Sequence, residues 1–94
     1  MRVLVLLLGL AACGVDPPRA TALDAQRSKV ALEQLSEGRS LMIEKCGGCH
    51  RPPLPIEKVA TAWPKALDEM STRSKLDTRQ RHMIEQYLVV MASK

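Results

Sequence analysis

Two thiols three positions apart, followed at once by an imidazole, stand at Cys46-Gly47-Gly48-Cys49-His50, and this stretch limits what the chain can fold into more than any other. Gly47 and Gly48 permit backbone angles closed to other residues, and Arg51-Pro52-Pro53-Leu54-Pro55 imposes an extended path directly afterwards, so residues 47–55 are expected to hold no regular element. A thioredoxin-like redox pair needs a βαβ surround, and the chain has no alternating strand pattern. A zinc site needs four ligands; Cys46 and Cys49 supply half, His50 is badly placed beside Cys49, and His82 is the other histidine.

C-x-x-C-H is also the attachment signature of c-type haem. Each sulfur can form a thioether to a porphyrin vinyl group, the glycines let the backbone approach the ring edge, and the next imidazole swings under the ring to bind iron. Haem is therefore the leading reading of Cys46, Cys49 and His50, and a plain Cys46–Cys49 disulfide remains the simplest alternative.

The amino terminus bears on which chemistry is available. Met1-Arg2 precedes an apolar run over residues 3–10 that is too short to span a bilayer, the pattern of a secretory signal. Leu10-Ala11-Ala12-Cys13 resembles the lipobox of bacterial lipoproteins, which implies cleavage before Cys13 and its acylation; an ordinary signal cut would leave Cys13 a thiol. Residues 1–12 are read as a lipoprotein signal peptide, 13–22 as a lipidated tether and 23–94 as the folded domain. Gly14 after the lipidated cysteine, in place of an aspartate, resembles lipoproteins sent on to the outer membrane, so a periplasm-facing anchor there is expected over the inner membrane. An exported compartment oxidises thiols, so a close pair is either a disulfide or capped by other chemistry.

Removing Arg2 lowers the formal charge from +4 to +3, with no polybasic block, and nucleic acid is not implied as a partner. The chain has no phenylalanine, one tryptophan (Trp63) and one tyrosine (Tyr87). A domain this short buries little surface and usually needs a staple such as a disulfide, a metal or a cofactor. A covalently held porphyrin would supply the missing apolar body.

Residues 23–45 show helical periodicity through Val30, Leu32, Leu35, Leu41, Met42 and Ile43, interrupted at Gly38 with Ser36 as a cap, giving one helix with a weak point or two in succession. Thr61 is expected to cap a helix with Pro64 in its first turn, and Trp63, Leu67 and Met70 fall on one face. Asp77, with Gln80 three residues later, forms a capping box for a last helix whose stripe is Ile84, Tyr87, Leu88 and Met91.

From about Glu37 to its end the chain resembles small single-haem, class I type bacterial cytochromes c. The shared features are the Gly38 to Leu41 stretch, the attachment motif, a short ligand-bearing helix and the Tyr87-Leu88 pair of a closing helix. Trp63, seven residues before Met70, and Leu76-Asp77 before the last helix are similar to the short form found in modules of periplasmic oxidoreductases, although the stretch from histidine to methionine is shorter than in most of the family. The resemblance implies an all-α fold, a small cytochrome c-like helical domain wrapped around one covalently attached haem c. It also implies Cys46 and Cys49 as attachment points, His50 as proximal iron ligand, and a carbonyl of Pro53 or Pro55 holding the other imidazole nitrogen.

Met70 is read as the distal ligand, because a methionine ending a helix before Ser71-Thr72-Arg73 is free to reach the far face of the ring. Met83 is its nearest rival, His82 would give bis-histidine ligation, and a vacant sixth position would suit a sensor or minor peroxidase binding a small gas or peroxide. Met42, Met83 and Met91 are otherwise read as packing residues. The expected function is one-electron transfer between redox partner proteins at a membrane surface, not catalysis, since no acid-base or nucleophile constellation occurs. Lys45, Arg51, Lys58, Lys65, Arg73 and Lys75 are read either as solvated surface or as a rim steering acidic partners. A haem-free lipoprotein with a structural disulfide is the alternative from another class.

Overall fold

The computed structural model describes residues 16–46 and 51–94, and every regular element among them is helical. Four α-helices follow in order: α1 (Ala22–Ser28), α2 (Leu32–Cys46), α3 (Trp63–Arg73) and α4 (Thr78–Ala92), with 3-10 turns at Pro55–Glu57 and Ala60–Ala62 between α2 and α3. None of the described helices is long and apolar enough to cross a membrane.

The ends of these helices follow local chemistry. At α1 the Thr21 side chain accepts the Asp24 N–H while the Asp24 carboxylate accepts the Thr21 N–H, a capping box. Lys29 then turns left-handed, at φ 62°, and donates to the Ala25 carbonyl. The α3 terminus is a Schellman motif on a non-glycine residue: Lys75 sits at φ 54°, Leu76 N–H reaches the Ser71 carbonyl at 3.0 Å and Lys75 N–H the Thr72 carbonyl at 3.4 Å. At α4, Gln80 N–H donates to Asp77 Oδ1 at 2.7 Å and Asp77 N–H to Gln80 Oε1 at 3.0 Å, the box expected from the sequence.

Two local expectations are corrected. The break in residues 23–45 falls at Lys29, ahead of α2, and Gly38 lies inside an unbroken helix. Thr61 does not cap α3: the 3-10 turn carries Ala62 into the helical region, so no residue there has the extended backbone that a capping side chain requires.

The α4 helix is the centre of the fold and packs against α2, α3, α1 and both 3-10 turns. Leu35, Gly38, Met42 and Cys46 form the buried stripe of α2, at helical spacing, and face Ile84, Tyr87, Leu88 and Met91 of α4. Full burial of each large apolar side chain contributes about 1.5–3 kcal/mol. Gly38 sits at the α2–α4 crossing, where a Cβ would lie 2.1 Å from the Met83 carbonyl oxygen.

The described part of the expected tether lies against the fold. Pro17 is buried and its carbonyl accepts Arg39 Nε at 2.9 Å, while the Pro18 carbonyl accepts the Tyr87 hydroxyl. Asp24, 1% exposed, bonds Arg27 and lies 3.5 Å from Lys94 Nζ; Arg27 also donates to the Val90 carbonyl at 2.8 Å, pinning α1 to α4.

Candidate functional site

Cys46 is the last residue of α2, and the helical spacing that buries Met42 buries it as well. It belongs to one apolar cluster with Met42, Trp63, Leu67, Ile84, Tyr87, Leu88 and Met91, against which Leu41, Ala66, Met70 and Leu76 also pack. Cys49 and His50, and Cys13 near the amino terminus, lie outside the described residues.

Residues 51–54 form no regular element, Leu54 is extended, and Pro53 and Pro55 are buried. The fully buried Trp63 holds this segment: its indole Nε1 donates to the Pro55 carbonyl at 3.2 Å, and Lys58 Nζ stands 5.9 Å from the ring centroid, a cation–π distance. The indole thus bridges the start of α3 and the proline segment that follows His50. It also takes up one acceptor direction of the Pro55 carbonyl, one of two carbonyls expected to serve that histidine.

Met70 packs half-buried on the Cys46 cluster from the third helix, on the same face as Trp63 and Leu67. It does not end its helix as expected: α3 continues to Arg73, and the Met70 carbonyl accepts the Ser74 N–H at 2.9 Å. The Schellman close, which depends on Lys75 and Leu76, adds the extra turn. Met42 and Met91 share the cluster, but Met42 stands one turn before Cys46 on the same helix and so approaches from the cysteine's own side. Met83 is 5% exposed at the α2–α4 crossing and is not part of the cluster, while His82 is exposed on the outer side of α4. His82 lines a shallow groove of about 250 Å³ with Val30 and Val89.

Arg81 fixes α3 on α4, and no local pattern announced it. Its guanidinium reaches Asp68 at 2.7 Å, the Pro64 carbonyl at 2.9 Å and Glu85 at 3.4 Å. The Asp68 hydrogen bond is the main cause that raises its pKa above the ordinary value. These contacts hold the helix that carries Trp63 and Met70.

Among the described residues the buried charged side chain is Asp24, which bonds Thr21 and Arg27, and no group of three or more His, Cys, Asp or Glu side chains suited to a metal ion occurs. Of the six cations read as a rim, Arg73 is paired with Glu69 at 3.0 Å, whereas Lys45, Lys58, Lys65 and Lys75 have no carboxylate partner among the described residues. The soft donors of this cluster are the Cys46 thiol and the thioethers of Met42, Met70 and Met91, within aliphatic and indole walls. That chemistry fits a thioether-linked porphyrin, a large apolar body with a soft-ligand position on its metal.

Compared with protein-family models, curated proteins and solved structures, the chain matches none.

Proposed function

We propose that the chain is an exported, lipid-anchored, single-haem c-type cytochrome that passes single electrons between partner proteins at a membrane surface. The observation that carries this reading is that Cys46, the first thiol of the C-x-x-C-H motif, is buried in one apolar cluster with Trp63, Leu67 and Met70, which come from a different helix.

Cys46 and Cys49 would hold the porphyrin through thioethers, His50 would ligate the iron, and Met70 would offer its sulfur as a second iron ligand. The haem supplies one-electron exchange at iron when bound. The chain's own part is to exclude water and keep the ligands rigid. Trp63 clamps the segment behind His50 through Pro55, and Arg81 locks the Met70 helix onto α4. Apolar walls disfavour extra charge on a metal, and a thioether ligand would raise its reduction potential relative to a second nitrogen. Lys45, Lys58, Lys65 and Lys75 would draw acidic partners.

The test is expression in a host competent for cytochrome assembly, followed by intact mass and absorption spectra in both redox states. A mass increase of one porphyrin, with reduced-state bands typical of haem c, is expected. Colourless protein weighing no more than its acylated polypeptide would overturn the proposal. A carbon monoxide shift of the reduced spectrum without denaturant would replace electron transfer by small-molecule binding.

A further inference from the structure

The distance from Cys13 to the point where the chain meets its own fold is short. Pro17, four residues on, is buried and bonded to Arg39; Pro18 is bonded to Tyr87, Ala20 packs on the core and Thr21 caps α1. Resting on the reading of Cys13 as acylated, we infer that the domain lies directly against the lipid bilayer with α1 toward it, and does not range over the surface on a flexible leash.

Four extended residues reach roughly 14 Å. The polar layer of one leaflet takes up roughly 5–8 Å of that. Pro17 is therefore held within about 10 Å of the outer edge of the headgroups, closer than the width of a helix with its side chains. Because Pro17 is bonded to Arg39 of α2 and Pro18 to Tyr87 of α4, the domain is tied to the surface at those two helices.

The face brought down suits a lipid surface. Leu23 is 68% exposed on the outer side of α1, while its neighbour Asp24, 1% exposed, faces inward to Arg27 and Lys94. Arg19, four residues before it, and Lys29, six after it, are exposed with no carboxylate partner among the described residues, and Asp16 and Glu33 are the nearest exposed acids in sequence. A leucine flanked by two cations can enter the headgroup region while the cations contact lipid phosphates. The candidate site is at the other end of α2: Cys46 is fourteen residues from Leu32, roughly 21 Å along the axis. Cys46 thus lies at the end of α2 away from α1, while the strap meets α2 midway, at Arg39, and Ala20 packs on the cluster that holds Cys46.

The experiment uses the full mature protein, acylated and haem-loaded, in vesicles of phosphatidylcholine and phosphatidylglycerol. A photoreactive benzophenone side chain is placed by Leu23→p-benzoylphenylalanine or, as reference, at Ile56, which is 86% exposed. Lipid adducts at position 23 should exceed those at position 56 at least fivefold. Inserting a ten-residue Gly-Ser spacer between Gly14 and Val15 should bring the two yields within about twofold. Equal yields without the spacer, in protein that sediments with the vesicles and carries acyl mass, would overturn the orientation alone. A fivefold excess that survives the spacer would overturn the short link as its cause. Protein without acyl mass that stays in the supernatant would remove the premise, and the orientation with it.

Discussion

The peptide of Met83 on α4 touches Gly38 on α2 so closely that a methyl group at position 38 would stand 2.1 Å from the Met83 carbonyl oxygen and 3.0 Å from Tyr87 Cβ. The obstacle is backbone and cannot swing aside. Gly38→Ala should therefore separate the helices and cost about 3 kcal/mol, the upper part of the usual range for overpacking. Ser40→Ala, on the exposed side of the same helix, should change stability by less than about 0.5 kcal/mol. Denaturant unfolding of both variants checks this; equal stabilities would refute the close crossing.

Met70 and Met83 differ in surroundings. Met70 packs on the cluster that holds Cys46, and Met83 belongs to the α2–α4 crossing. In the haem-loaded protein Met70→Ala should abolish the weak red absorption band of methionine–iron bonding and lower the reduction potential, while Met83→Leu and His82→Ala keep both. Loss of the band in Met83→Leu with the fold intact would transfer the ligand role.

Asp24 titrates far from its ordinary range. The backbone hydrogen bond from Thr21, helped by Arg27 and Lys94 and opposed by burial, brings its pKa down from 3.8 to about 2. Because the folded value lies below the unfolded one, the stabilisation is complete above about pH 4 and disappears as pH falls through 2. It amounts to roughly 2 kcal/mol. Asp24→Asn should be less stable than the parent by about this much at pH 6, and the two should converge near pH 2. Parallel stability curves across that window would contradict the assignment.

Tyr87 shows the opposite sign. Burial pushes its hydroxyl from 10.0 up to about 12, with Arg39 pulling the other way. The folded state therefore favours the neutral phenol, and the associated stability is present below pH 10 and lost as pH rises toward 12. Tyr87→Phe should lose about 1 kcal/mol at neutral pH with the Pro18 hydrogen bond, and should flatten the alkaline decline. It should also loosen the proline strap, so trypsin should cut after Arg19 faster than in the parent. Unchanged cleavage would show that Arg39 and Pro17 hold the strap without it.

Much of the architecture was legible because it is set by neighbours within one helical turn. The Asp77–Gln80 box, the α4 stripe and the shared face of Trp63, Leu67 and Met70 depend on residues three or four apart, and the all-α arrangement follows from those periodicities. The C-x-x-C-H motif is equally local, and it is where the haem reading starts. Other features needed a partner from far along the chain. Gly38 looked like a helix breaker by propensity, yet it serves a contact with Met83 that no local pattern contains. The Thr61 cap was lost to a 3-10 turn held beneath α4.

Residue order alone therefore determined which segments coil and where the chemistry-bearing side chains cluster in sequence, since hydrogen-bond capping and apolar spacing act over one turn. Tertiary packing decided that Met70 packs on the Cys46 cluster while Met83 does not, and that Pro17 and Pro18 are bound to the domain. Those outcomes turn on steric fit and hydrogen bonds between residues 22 to 69 positions apart, and such contacts exist only once the helices have met.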